Sequence, residues 1–120
     1  MSISNYAELA LLNTLSGTSF SVSNTYIKLH TGDAGEDGTA NAATNTERQA
    51  ALWSAASSGS KAISSPVTWT DVSTTEVYTH WSLWNSSSGG ACLWSGGLST
   101  SASVTAGDTF QISSLTLTLD

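Results

Sequence analysis

The sequence predicts a mainly β chain: an antiparallel β-sandwich of about seven strands, jelly-roll-like, with one short amino-terminal helix. Three observations predict it. Apolar and polar residues alternate with period two through Tyr26–His30, Val67–Val72 and Val77–Trp84, the repeat of a strand and not of a helix. Clusters of Ser, Gly, Asn and Asp punctuate those runs at Gly32–Gly38, Ser57–Ser60, Asn85–Gly90 and Thr105–Asp108, where turns belong. Charged residues make up only 10% of the chain while 40 of its 120 residues are Ser or Thr, a neutral composition far below the roughly 25% charge of ordinary soluble proteins. Regular aromatic and β-branched alternation argues against disorder. A chain of this length buries roughly two thirds of its unfolded surface in one core, so residues 1–120 are read as a single domain.

Residues 4–15 form the one convincing helix. Asn5 with Glu8 three places on resembles a capping box, leucines at 9, 11, 12 and 15 make an apolar stripe, and Gly17 stands where a helix stops. About three turns are marginal alone in water, so the stripe is expected to dock on something. From Thr25 a strand sends Ile27 and Leu29 inward and Tyr26, Lys28 and His30 the other way. A long loop or arm follows over residues 32–46; 15 residues without periodicity exceed what a connection needs, marking it as functional, packed as an arm, or mobile. A second strand is expected around Arg48–Ser54, and Pro66 suits the start or edge of a strand at Val67–Val72.

The stretch Val77–Gly97, VYTHWSLWNSSSGGACLWSGG, holds three of the five tryptophans. Two alternating runs flank a Ser/Gly loop, and both parities carry bulky side chains, so both faces of this hairpin need cover. One cover is the core; the other is a further layer of the fold or another molecule. With Leu83 opposite Leu93 on the core face, Trp84 falls opposite Cys92 and Trp94 opposite Ser82. Tyr78, His80, Trp84 and Trp94 then share the second face as one aromatic patch. Beyond it, Ala102–Val104 and Thr109–Ile112 flank the turn Thr105–Asp108. Phe110 and Ile112 are even-numbered but Leu115, Leu117 and Leu119 odd, which calls for a bulge or kink at Ser113–Ser114.

Nine acids stand against Lys28, Arg48 and Lys61, for a net charge of −6. So few cations leave no surface for counterion release, which excludes nucleic acid as a partner. The lone Cys92 cannot form an internal disulfide, and no Cys/His set has zinc spacing. Neither a secretory signal nor an apolar run of membrane-spanning length is present, so the chain is expected to be made in a cytoplasm and to have no membrane partner. Asp33, Glu36 and Asp37 lie close enough in sequence to hold a hard cation, but their spacing is not that of an EF-hand, and a solvated acidic loop is the better reading. His30 and His80 fall on strands without further ligands and are read as packed or interfacial. No G-x-S-x-G elbow is present, and most of the acids sit in loops or at chain ends instead of facing one another across a cleft. No catalytic residue, metal or cofactor is assigned, and the chain is read as not an enzyme. Exposed rings on a sheet face could stack on sugars, although packing and subunit contact account better for five tryptophans in a small β domain.

The helix Asn5–Leu12, the segment YIKLHTGDAGEDG at Tyr26–Gly38 and the strand opening Glu47-Arg48-Gln49-Ala50 come in an order shared with a known group. So do Val77–Trp84, Gly89–Gly96, Ala106–Thr109 and the closing Leu115–Leu119. In order and spacing they resemble small phage virion proteins labelled tail-fibre or head-decoration proteins, and the resemblance spans nearly the whole chain. It implies a non-enzymatic β-sandwich that forms part of a phage particle and carries no cofactor. The chain departs from that pattern at Glu47, where Tyr often precedes the arginine, and at Trp81 and Trp84, where smaller or Phe-like residues are usual.

One compact domain supplies only a tip or short segment of a fibre, whereas a decoration protein needs just one domain with a large neutral contact surface. The expectation is therefore a capsid decoration (cement) protein outside the head, stabilising it by binding the assembled shell. A tail-fibre or receptor-binding tip protein and a carbohydrate-binding β module are the alternatives. Expected partners are the major capsid protein or other virion proteins and further copies of the chain, a trimer suiting virion symmetry. Tyr78, His80, Trp84 and Trp94 would anchor that interface at the virion surface, with either the arm, carrying Asp33, Glu36 and Asp37, or the amino-terminal helix reaching a neighbour.

Overall fold

The computed structural model describes residues 1–119. In chain order the elements are β1 (Ser2–Ile3), α1 (Asn5–Thr14), β2 (Thr25–His30), β3 (Gln49–Ala51), β4 (Ser60–Ala62), β5 (Val67–Trp69), β6 (Glu76–Trp84), β7 (Cys92–Val104), β8 (Phe110–Ile112) and β9 (Thr116–Thr118). Five of them form one antiparallel sheet in the order β1-β7-β6-β2-β3, and β4-β9 and β5-β8 make two short ladders. The mainly β, antiparallel fold with one short helix is the one the alternation predicts. Its strands number nine among the described residues instead of about seven, because β1 and β4 are pieces of two and three residues without a period to read.

Ile27 and Leu29 of β2 stand opposite Leu83 and Trp81 of β6, making an apolar face that water would penalise if left open. The two ladders cover it: Val67, Trp69, Ile112 and Leu117 join those four residues in one buried core. Trp69 and Tyr78 both pack on Phe110, with ring centroids 5.7 and 5.1 Å away. The indole of Trp69 donates to the carbonyl of Glu47 at 2.9 Å, so its burial strands no polar group. β8 ends at Ile112 and β9 begins at Thr116; the break at Ser113–Ser114 brings Ile112 and Leu117 to the same core despite their opposite parity.

The β6–β7 pairing departs from even alternation twice. Ser82 faces Ser95, Leu83 faces Trp94 and Trp84 faces Cys92, so Leu93 is an extra residue, a β-bulge. The Trp84–Cys92 pair is the one the sequence predicts, but Leu83–Leu93 and Trp94–Ser82 are displaced by that bulge. A second irregularity lies between Tyr78, opposite Ala102, and His80, opposite Gly97. It turns Tyr78 into the same core as Trp81 and Leu83. The expected single aromatic patch is therefore not formed. Tyr78 is fully buried and Trp94 packs half-buried against the core on Leu83's side, while Trp84 is buried on the opposite side of the sheet.

That opposite side, with His30, Ser82 and Trp84, is covered by the chain itself. The first part of the 32–46 arm returns over it, with Ala40 O on His30 and Gly38 against Trp84 and Cys92, while residues 41–43 run beside β2 in the plane of the sheet: Thr31 N–H donates to Asn41 O at 2.9 Å and Ala43 N–H to Leu29 O at 3.1 Å. Of the covers the sequence leaves open for this face, the structure uses a further layer of the fold. The expectation that a virion neighbour covers it is corrected accordingly.

Ser4, not Asn5, caps α1. Its hydroxyl accepts from Ala7 N–H at 3.1 Å and donates to Cys92 O at 2.6 Å, and its own N–H donates to Leu93 O at 2.9 Å. Both residue types cap well, but only a side chain one place earlier also reaches the bulged backbone of β7. Of α1 only Ala7 is buried. Leu9, Leu12 and Leu15 remain 63%, 62% and 85% exposed, so these leucines find no cover among the described residues.

Candidate functional site

The arm is shaped by its own acids. Asp33 Oδ1 accepts from Gly35 N–H at 3.0 Å, and Asp37 Oδ1 from the N–H and hydroxyl of Thr39 at 3.1 and 2.7 Å, two turns in which a short carboxylate replaces a backbone acceptor. The bonds from Thr39 hold the Asp37 carboxyl below the ordinary carboxylate range. Glu36 Oε1 accepts from Ser2 Oγ at 3.2 Å. At the far end both oxygens of Glu76 are used, accepting from Thr44 and Asn45 N–H at 2.9 and 3.0 Å. At the crest Gly38, at φ +73°, lies so close to the hairpin that a β-carbon there would sit 2.6 Å from Cys92 Sγ and 2.9 Å from Trp84 Cζ2.

Beneath the crest runs a chain of hydrogen bonds with one consistent direction. The Trp84 indole is only a donor and gives its proton to Ser82 Oγ at 2.7 Å. Ala40 O of the arm, 2.9 Å from His30 Nδ1, can only accept, so Nδ1 carries a proton; in the neutral imidazole that burial favours, Nε2 then accepts from the Ser82 hydroxyl at 2.7 Å. Burial, aided by the nearby Lys28 and His80, pushes the His30 pKa below its ordinary 6.5.

Acid should therefore loosen the fold. As pH drops below about 6.5 the unfolded chain takes up a proton that folded His30 refuses, so stability present above that value is lost toward the lowered folded pKa. Urea midpoints at pH 7.5 and 5.5 should show this fall in the wild type and a smaller one in His30→Gln, which keeps a polar side chain but does not titrate. A wild-type midpoint unchanged between the two pH values would refute the neutral assignment.

Trp84 ties these parts together. The Arg48 guanidinium lies 4.1 Å from its ring centroid and Lys28 Nζ 5.8 Å away, within cation–π range. Arg48 Nη1 also donates to Ser86 O and Gly89 O, both at 2.8 Å, and so holds the hairpin loop. Two of the chain's three cations thus serve its interior architecture.

Glu36 forms the ridge between two open clefts. One, about 570 Å³, is lined by Asn5, Tyr6, Asp37 and Thr39 with the edges of Trp84 and Cys92. The other, about 330 Å³, brings together Asp33, Glu36 and half-buried His80 beside Ser95. The structure thus gathers Asp33, Glu36, Asp37 and His80 on one flank, with only an edge of Trp84, and leaves Tyr78 and Trp94 elsewhere. Among the described residues no group of three or more His, Cys, Asp or Glu is placed to hold a metal. Burial pushes the Cys92 thiol up to about 11, which keeps it protonated and a poor nucleophile.

Trp94 belongs to a different surface. With Leu11, Phe20, Val22, Leu52 and Trp53 it lines an apolar groove of about 460 Å³ beside α1. Leu52 is 64% exposed there. The sequence reading passes over Leu52 and Lys61, although the Ala51-Leu52-Trp53 run is apolar on both strand faces and so signals a second contact.

Among curated proteins none matches the chain. The family model described as podophage GP4 fiber I protein gp80 matches residues 2–120, taking in α1, the arm, the hairpin and the closing strands. The resemblance to phage virion proteins is thereby confirmed at the level of a family, and that family is one of fibres. The chain belongs to the podophage GP4 fiber I protein gp80 family, and it is a phage virion structural protein.

Proposed function

We propose that the protein is a non-catalytic module of a phage fibre, exposed at the virion surface and seated among its neighbours through the edge formed by α1 and the Trp94 groove. One observation carries this reading: a helix that is apolar nearly all round, with leucines exposed, beside an apolar groove. Soluble monomers seldom leave such a patch open unless a partner covers it. Other virion proteins or further copies of the chain are the partners this surface fits. Capsid decoration would use the same surface, and the fibre family favours the tail.

Leu12→Glu with Leu15→Glu should leave the free protein folded, because neither side chain is buried in it, yet remove it from particles. Each buried leucine is worth roughly 1.5–3 kcal/mol, so at least about a tenfold loss is expected in immunoblots of purified virions. Normal incorporation would sink the proposal. Immunogold labelling of wild-type particles separates the two locations: gold on tails supports a fibre, gold on heads supports decoration.

A second reading rests on the Glu36 ridge. Tyr6 with Asn5, Glu36, Asp37 and Thr39 puts an exposed ring next to hydrogen-bonding groups, the combination that stacks on and orients a sugar. On this reading the cleft at the amino-terminal end of α1 contacts a surface glycan, and binding of purified protein to host cells should fall on Tyr6→Ala.

A further inference from the structure

We infer that His30 is an acid-sensitive latch for the tip of the arm: when its ring takes up a proton, residues 33–40 lift off Trp84 and Cys92 while the five-stranded sheet stays paired. This movement lies within one chain and depends on neither reading of the function.

His30 is 0% exposed, and each layer occupies one of its ring nitrogens: Ser82 of β6 holds Nε2 and Ala40 O of the arm holds Nδ1. A proton on Nε2 would set two donors, the imidazolium and the Trp84 indole, on the one Ser82 oxygen. The Ser82 proton would then lose its acceptor. The charge would also be buried among groups that do not neutralise it. On β2 stands Lys28, two residues away on the same face; β6 brings His80, the cross-strand partner of His30; and Arg48, just ahead of β3, lies over Trp84. From β7 comes Cys92, whose thiol, pushed up to about 11, stays neutral. The acids of the arm are exposed and engaged elsewhere: Asp33 with Gly35, Glu36 with Ser2 and Asp37 with Thr39. Glu76 is taken up by Thr44 and Asn45. A buried ion so placed is costly, and water relieves it.

Water can reach the ring through the sheet or through the arm. β2 lies between β3 and β6, with Ile27 and Leu29 in the core, so the sheet is the costlier route. The tip of the arm is held more lightly. Thr31 N–H on Asn41 O closes its base, and Ala40 N–H bonds Ala34 O within it, so residues 33–40 make a closed lobe able to move as one piece. It is tied down by Ala40 O on His30, by Ser2 on Glu36, by the buried Ala34 and by the contact of Gly38 with Trp84 and Cys92. Such a segment opens at less cost than the whole domain. The open form takes up its proton near the ordinary 6.5 and the closed form at lower pH, so the closed arm is favoured above that value and opening grows by up to about tenfold per pH unit below it. Lifting the lobe also carries Asp37 and Thr39 away from Tyr6, so the cleft they share is intact only while the latch is neutral.

Cys92 reports on the lobe, because Gly38 covers its sulfur. Its rate of reaction with a dipyridyl disulfide, divided by that of glutathione at the same pH, should rise about fivefold or more between pH 7.5 and 5.5. Adding up to about 1 M urea should barely change that rate, since lifting a lobe exposes little surface. In His30→Gln the normalised rate should be flat with pH, whereas His80→Gln should keep the wild-type rise. Circular dichroism melts should confirm that both variants are folded. A flat wild-type rate overturns the inference, and so does a rate that climbs with urea as steeply as global unfolding does. A rise that survives in His30→Gln, or one that disappears in His80→Gln, overturns it as well. The two wild-type measurements decide the matter even where His30→Gln does not fold.

Discussion

Ser82→Ala should cost about 2–6 kcal/mol of stability, although it deletes one oxygen atom and no charge. Ser82 is fully buried, and its hydroxyl is the shared partner of Trp84 Nε1 and His30 Nε2. Without it a buried donor and a buried acceptor lose their bonds together, each worth about 1–3 kcal/mol when left unsatisfied. For a domain whose total stability is about 5–15 kcal/mol, that is a large fraction. Urea unfolding followed by tryptophan fluorescence reads the loss, and Ser88→Ala in the exposed hairpin loop serves as a control with little change. A Ser82→Ala midpoint equal to that of the control would mean the Trp84–Ser82–His30 chain is not a structural linkage.

Gly38→Ala should release the arm while the core sheet persists. Its β-carbon would meet Cys92 Sγ at 2.6 Å in a backbone conformation with φ +73°, adding about 1–2 kcal/mol for the left-handed geometry to about 1–3 kcal/mol for overpacking. Gly35→Ala separates the two causes, since that residue has nearly the same φ, +75°, but nothing closer than 3.9 Å. Hydrogen exchange at the amides of Thr31, Ala40 and Ala43, which carry the arm's backbone bonds, should accelerate in Gly38→Ala by a larger factor than in Gly35→Ala. Cys92 should also become reactive to thiol reagents only when Gly38 is replaced. Equal effects from the two variants would mean that close contact with the hairpin does not hold the arm.

The strands and the helix were legible because each repeats a period: two for Ile27 and Leu29 or for Trp81 and Leu83, three to four for the leucines of α1. Which face those strands offered was not legible. Leu93 and the Tyr78–His80 irregularity each shift parity, and a bulge carries no periodic signal, so the patch of Tyr78, His80, Trp84 and Trp94 was assembled on a register the chain does not keep. The arm at 32–46 stood out by length, but its role as a cover depends on Gly38 meeting Trp84 and Cys92 across about fifty residues of sequence. Leu9 and Leu12 point outward for a reason visible in the letters: three leucines spread round a ten-residue helix, with a fourth at its C-cap, exceed what one docking face can absorb.

The central sheet ends at β1 with two residues and at β3 with three. β1 pairs β7 only at Trp94 and Ser95, so among the described residues the outer edge of β7 from Gly96 to Val104 has no strand bonded to it. An open edge of that length is a template for an incoming strand. Its two glycines and its Ser/Thr run set few apolar side chains along it, so a strand added there gains main-chain hydrogen bonds and little apolar burial.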